Sequence, residues 1–203
     1  MDFFGRTREI EVLREPNWRG QAKLIVVYGR RRVGKTTLIE QAFRDQVLWK
    51  FDGLEGVTRK RQLAHFRDQL ALWSGKTPET PRDWSQALKL LARAIEEHRG
   101  ENLVVLFDEF QWMADLRSGL VSLFKSYWDN FFSKHRKLRL VLCGSISSFM
   151  VKKVIRSRAL YGRVSTDIDL KPLRLAEALA FFQGKRDRQE VIDIAMCLGC
   201  IPQ

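Results

Sequence analysis

Leu24-Ile25-Val26-Val27-Tyr28-Gly29-Arg30-Arg31-Arg32-Val33-Gly34-Lys35-Thr36-Thr37-Leu38-Ile39 decides the fold. Its first five residues are an apolar, β-branched run of strand type. The next eight match the phosphate-loop pattern G-x-x-x-x-G-K-[ST] at every fixed position, and Thr37 to Phe43 continue with helical character. The spacing has a physical cause. Glycines at both ends let the backbone wrap tightly, so that successive N–H groups and the positive end of the helix dipole converge on phosphate oxygens. Lys35 adds a point charge for the β- and γ-phosphates, and the Thr36 hydroxyl is placed to ligate Mg²⁺. The predicted phosphate-contacting set is therefore Gly29, Arg30, Arg31, Arg32, Val33, Gly34, Lys35, Thr36 and Thr37. The three arginines fill variable positions, where contact with phosphate, a second subunit or nucleic acid competes with plain solvation.

A phosphate loop needs a second metal ligand and a group that handles the attacking water. Leu103-Val104-Val105-Leu106-Phe107-Asp108-Glu109 offers both, an apolar run of buried-strand type ending in two adjacent carboxylates. Asp108 is expected to complete the Mg²⁺ shell and Glu109 to polarise water for in-line attack. Lys35 and Asp108 lie 73 residues apart, room for one further strand and its helices. Glu109 favours hydrolysis over transfer to a small acceptor, which argues against a small-molecule kinase. A later strand ends Leu140-Val141-Leu142-Cys143-Gly144-Ser145. If it lies between the other two, Ser145 faces the γ-phosphate or the attacking water, because ligands sit at the carboxyl ends of parallel strands. Ser147 and Ser148 are weaker candidates, and helix capping is an alternative role for all three serines.

Outward from these motifs, apolar runs alternate with segments of helical period, the pattern of an α/β fold with a mostly parallel sheet. The predicted strands are Lys23 to Tyr28, Val47 to Phe51, Leu103 to Phe107, Leu138 to Leu142 and Thr166 to Leu170. Leu63, Phe66, Leu70 and Trp73 form one helical stripe. Leu88, Leu91 and Ile95 form a second, and Leu116, Leu120, Leu123, Tyr127 and Phe131 a third. Ser74 to Pro81 reads as a loop, and Asp83 as the cap of the helix after it. After Pro172 the period is helical to the end. Residues 1–172 thus read as the core, and 173–203 as the start of a helical lid that is cut short.

With 203 residues, 45% hydrophobic, the chain fits one generous domain. No apolar run approaches the roughly 18 residues of a membrane span, and the N-terminus has no signal-peptide pattern. Together with three cysteines, this predicts a cytoplasmic location with reduced thiols. Cys197 and Cys200 have C-x-x-C spacing, but the other candidate ligands are scattered, so small buried side chains are the expected reading.

Lys and Arg total 36 against 24 Asp and Glu, a net charge of +12 that points to an anionic partner such as nucleic acid or an acidic protein. From Leu116 to Arg163 eleven basic residues face a lone acid, Asp129. Lys134 to Arg139 precede the fourth strand and Lys152 to Arg163 follow it, so these two groups are expected at opposite ends of the sheet.

The motifs in order resemble one family. Phe4-Gly5-Arg6-Thr7-Arg8-Glu9-Ile10 with Leu13 resembles the box ahead of the phosphate loop in the archaeal ATPase family, part of the STAND and AAA+ group of P-loop ATPases. Asp108-Glu109-Phe110-Gln111, Cys143-Gly144-Ser145, Leu160-Tyr161-Gly162-Arg163 and Gly199-Cys200-Ile201-Pro202 are similar to later boxes of that family. The resemblance implies a three-layer P-loop sandwich, with a five-stranded parallel sheet of order 5-1-4-3-2. It also implies ATP with Mg²⁺, and adenine near Phe4, Gly5 and Arg6. Arg163 stands where the family keeps a Gly-Arg pair, either sensing γ-phosphate charge or bridging to Asp167, Asp169 or a neighbouring helix. Cys200 departs from the family by replacing the second glycine of the closing box. Members generally continue into a winged-helix domain and often a nuclease-like one. The expected activity is Mg²⁺-dependent ATP hydrolysis by a nucleotide-driven switch, the alternative an ATP-regulated nucleic-acid-binding module.

Overall fold

A computed structural model describes residues 5–16, 21–100, 102–115, 118–181, 187–198 and 200. Five strands, β1 (Lys23–Tyr28), β2 (Val47–Asp52), β3 (Leu103–Asp108), β4 (Leu138–Gly144) and β5 (Thr166–Asp169), form one parallel sheet of order β2-β3-β4-β1-β5. This is the expected order read from the other edge. Three strands run past their predicted ends, through Asp52, Asp108 and Gly144, while β5 stops one residue short of Leu170.

Side chains alternate across the pleat, so each strand supplies two layers. One face carries Leu24, Val26, Trp49, Phe51, Val105, Phe107, Leu140 and Leu142 into the larger core. It packs against α3 (Arg59–Ser74), α4 (Trp84–Glu97) and α6 (Leu120–Asn130) through residues such as Phe66, Leu88 and Phe124. The other face carries Ile25, Val27, Val104, Leu106, Val141 and Cys143 against Leu13 of α1 (Thr7–Arg14) and Leu38 and Ile39 of α2 (Lys35–Ala42). A sheet between two helical layers is the three-layer sandwich that the alternating pattern implied.

Local chemistry sets the helix ends. The Asp83 carboxylate accepts from the Gln86 N–H at 2.8 Å and caps α4 as expected, and Thr58 does the same for α3 through Arg61 N–H at 3.3 Å. Gly75, with φ near 69°, ends α3 in the left-handed conformation that glycine adopts without a Cβ clash. The third stripe is shorter than expected. Gly119 at φ 65° starts α6 at Leu120, and Leu116 lies outside the described residues. A short helix, α5 (Phe110–Met113), follows β3, and α7 (Ser147–Phe149) follows β4, running into a wide π-type turn at Met150–Ile155. Beyond Pro172 come α8 (Leu175–Phe181) and α9 (Arg188–Leu198), as the helical period required. Among the described residues no helix is long and apolar enough to cross a membrane.

The larger core centres on aromatic rings. Phe107 stacks on Phe51 at 5.4 Å between centroids and meets Phe124 edge-on at 5.0 Å, while Phe51 stacks on Phe66 at 4.7 Å. Phe107→Ala opens a cavity beneath the strand that carries Asp108, and the expected cost is about 3–5 kcal/mol. Urea unfolding checks this, with a lower midpoint and an unchanged slope.

Candidate functional site

The carboxyl ends of β1, β4 and β3 lie side by side, since Tyr28 pairs with Gly144 and Phe107 with Leu142. All three leave the sheet at the same edge. Gly29 leaves β1 at φ 150°, where an added Cβ would stand 2.2 Å from the Leu170 carbonyl oxygen just past β5. Arg32 at φ 68° and Gly34 at φ 86° give the loop left-handed turns, the alternation that points backbone N–H groups into an anion-binding concavity. The Lys35 ammonium is buried inside this loop, donating to the carbonyls of Gly29 at 3.1 Å and Arg30 at 2.9 Å. Val33 is buried in the smaller core, whereas Arg30, Arg31, Arg32 and Thr37 are exposed. Arg31 pairs with Glu55, in the segment after β2, at 3.1 Å.

The Thr36 hydroxyl donates to Asp108 Oδ2 at 2.7 Å, bringing the two expected metal ligands into direct contact. Asp108 is only 6% exposed, and its Oδ1 accepts the Glu109 N–H at 2.9 Å. Lys50 belongs to no sequence motif, yet it lies beside this pair. Its Nζ lies 3.7 Å from Asp108 Oδ2, 3.6 Å from Asp52 and 3.4 Å from Glu40. Burial opposes the Lys50 charge, but Asp52, Asp108 and Glu40 together raise its pKa above the ordinary lysine value. The donor set suits Mg²⁺: two hard oxygens side by side, with an ammonium already drawn to one of them.

Glu109 sits in the left-handed region at φ 48°, a conformation costing a non-glycine residue on the order of 1 kcal/mol. Its carboxylate is held from two sides. The Ser145 hydroxyl donates to Oε1 at 2.5 Å and also reaches Oε2, while the Gln111 amide donates to Oε2. The expected water-polarising residue and the expected sensing serine are therefore hydrogen-bonded to each other. The Gln111 carbonyl oxygen, buried and without a partner among the described residues, faces Gly144, where a Cβ would come within 2.6 Å of it. Cys143, wholly buried behind this cluster, has its thiol pKa pushed well up, first by burial and then by the Asp108 charge.

At the opening box, Arg6 is buried in the left-handed region at φ 59°. Its guanidinium donates to the Lys171 carbonyl at 2.6 Å and its backbone N–H to Glu177 Oε1 at 3.1 Å. Glu177 Oε2 accepts the Arg174 N–H at 2.8 Å, so this one carboxylate joins the box to α8. Gly5 leaves little room there, since a Cβ would stand 2.9 Å from the Glu177 carboxylate. Phe4 lies outside the described residues. Arg163 makes a bidentate pair with Asp129 of α6, at 2.6 and 2.8 Å.

The basic segment divides as the strand direction requires. Lys134, Arg136 and Lys137 are exposed before β4, and Lys152, Lys153, Arg156 and Arg158 after it, at the loop end. Arg139 belongs to neither surface. It is buried in β4, with its guanidinium 5.8 Å from the Phe43 ring centroid and 3.4 Å from the Glu15 carbonyl oxygen. Among the described residues no group of three or more His, Cys, Asp or Glu is arranged to hold a metal ion.

The family described as an ATPase domain predominantly from Archaea matches residues 3–203. An uncharacterized protein of Methanocaldococcus jannaschii is 27% identical over 193 residues, 95% of this chain and 40% of that protein. Among solved structures, the Walker-type ATPase of Pyrococcus abyssi superimposes with a TM-score of 0.63 at 21% identity, covering 99% of this chain and 65% of that one. The ORC2 protein of Aeropyrum pernix, solved in ADPNP–ADP complexes, gives 0.65 at 16% identity over 94% of this chain and 54% of that one. The ORC1 protein of Aeropyrum pernix, in complex with DNA, gives 0.61 at 16% identity over 90% of this chain and 47% of that one. The chain spans less than two thirds of each of these proteins, and at these identities the structural likeness establishes the fold.

Glu177 gives the site a pH signature. Burial raises its pKa, but the N–H groups of Arg174 and Arg6 outweigh burial and leave it below the usual glutamate value. A carboxyl held low in the folded state stabilises it above the unfolded value of about 4.3, and that contribution is lost as pH falls through the folded value. The difference between the urea midpoints of wild type and Glu177→Gln is expected to be fully present at pH 6 and to shrink as pH falls below the usual glutamate value.

Proposed function

The chain belongs to the family of ATPase domains found predominantly in Archaea, and from that premise we propose that it binds ATP with Mg²⁺, hydrolyses it and acts as a nucleotide-driven switch. The observation that carries this reading is the contact of Thr36 with Asp108 beside a phosphate loop, with Glu109 one residue further on. The loop N–H groups and the Lys35 ammonium receive the phosphates, and Lys35 exchanges its bonds to the Gly29 and Arg30 carbonyls for phosphate oxygens. Thr36 and Asp108 would hold Mg²⁺, which would supply charge neutralisation to the phosphates.

Glu109 accepts a proton from the attacking water as the water oxygen bonds to the γ-phosphorus and ADP leaves. Ser145 and Gln111 hold the carboxylate in place for that step, a positioning role supported by their hydrogen bonds to it. The switch reading draws on Arg6 and Glu177. Adenine lodged near Gly5 and Arg6 acts on the same residues that anchor α8, so nucleotide occupancy reaches residues 173–203 as a lid through one carboxylate. ATP-regulated nucleic-acid binding is the second reading, carried by the exposed basic residues on either side of β4. It requires affinity for DNA or RNA that falls steeply with salt.

Lys35→Ala is expected to weaken ATP binding at least a hundredfold, about 2.7 kcal/mol, measured by titration calorimetry. Glu109→Gln is expected to keep ATP affinity and slow turnover by a factor of about 10²–10⁴. Turnover at the wild-type rate in Glu109→Gln removes Glu109 from the chemistry.

A further inference from the structure

We infer that Lys50 is a built-in counter-ion that closes the metal site of the nucleotide-free protein, so that a divalent cation enters with ATP rather than alone. The inference rests on the proposed metal site at Thr36 and Asp108 and goes beyond it, to the coupling between metal and nucleotide.

Lys50 lies in β2, the edge strand of the sheet, with Trp49 and Phe51 on either side turned into the larger core. Period-2 geometry puts Lys50 and Asp52 together on the opposite face, and the β2–β3 register sets Asp52 directly beside Asp108. From that face the Nζ reaches three carboxylates on three elements: Asp108 at 3.7 Å, Asp52 at 3.6 Å and Glu40 of α2 at 3.4 Å. The Asp108 oxygen nearest the ammonium, Oδ2, is the one that accepts the Thr36 hydroxyl. The proposed metal carboxylate thus already has a cation within ion-pair distance, in a site where Lys50 is only 27% exposed.

The neighbours let Lys50 withdraw without losing its charge partners. Asp52 is braced by Gln69, which donates to Oδ2 at 3.0 Å and accepts the Asp52 N–H at 3.1 Å, so that carboxylate stays in place. Glu40 lies at the solvent side, 48% exposed. An ammonium that leaves Asp108 therefore still meets Asp52 and Glu40. A divalent ion arriving alone must overcome repulsion from Lys50 a few ångströms away, whereas one arriving with ATP brings the triphosphate's negative charge with it. A neutral side chain of similar length at position 50 removes the repulsion and leaves Glu40, Asp52 and Asp108 without their shared cation.

The test is Mn²⁺ binding to nucleotide-free protein, read as loss of the free-ion electron paramagnetic resonance signal. Lys50→Met is expected to bind Mn²⁺ at least about tenfold more tightly than wild type. Lys50→Arg, which keeps the charge, is expected to bind as weakly as wild type, and Lys50→Met/Asp108→Asn to lose the gain. Equal affinity in wild type and Lys50→Met overturns the inference, as does a gain that survives Asp108→Asn. Failure of the metal assignment itself has a separate signature and overturns both readings: Asp108→Asn alone leaves the effect of Mg²⁺ on ATP affinity unchanged.

Discussion

Everything at the candidate site depends on β4 lying between β1 and β3 in parallel. Parallel strands deliver all their carboxyl ends to one edge, and the register aligns Tyr28 with Gly144 and Leu142 with Phe107. The loop after β1, Ser145 after β4 and the Asp108–Glu109 pair at the end of β3 are thereby brought within hydrogen-bonding reach. The sheet holds this alignment because both faces are covered, one by the stacked rings of Phe51, Phe66 and Phe107, the other by Leu38, Ile39 and Leu13.

The charged groups at that edge satisfy one another. Lys35 turns back onto two loop carbonyls, Asp108 is shared by Thr36 and Lys50, and Glu109 is held by Ser145 and Gln111. Buried charges need such partners, because an unpaired one costs several kcal/mol. On the proposed reading, nucleotide and metal would act by exchange, replacing these internal partners with phosphate oxygens and a divalent cation. Arg6 ties α8 to the phosphate loop, its backbone N–H donating to Glu177 and its guanidinium lying 3.5 Å from the Val33 carbonyl oxygen.

Much of this was legible in the residues themselves. Leu24 to Thr36 give strand, loop and helix start directly, because glycine spacing and apolar period have few structural alternatives, and Asp83 announced its own cap. The strand order came from the resemblance rather than from periodicity, which is blind to which strands become neighbours. Long-range side-chain pairing was illegible for the same reason. Lys50 looks like a polar interruption until β2 is set beside β3. Arg139 counted as surface charge although the Phe43 ring and the Glu15 carbonyl bury it. The sequence left Arg163 open between phosphate and a neighbouring helix, and its two bonds to Asp129 depend on where α6 passes. Glu109 and Ser145 were each read as facing the reacting water, but their direct contact is a product of the register.

That contact is the point at which fold and chemistry meet, and a double-mutant cycle on ATP turnover tests it most directly. If Ser145 acts by holding Glu109, then Ser145→Ala slows the wild-type protein but adds little to Glu109→Gln, so the double variant turns over about as fast as Glu109→Gln alone. Losses that multiply in the double variant would mean that the two residues act independently, contradicting a site assembled around their hydrogen bond.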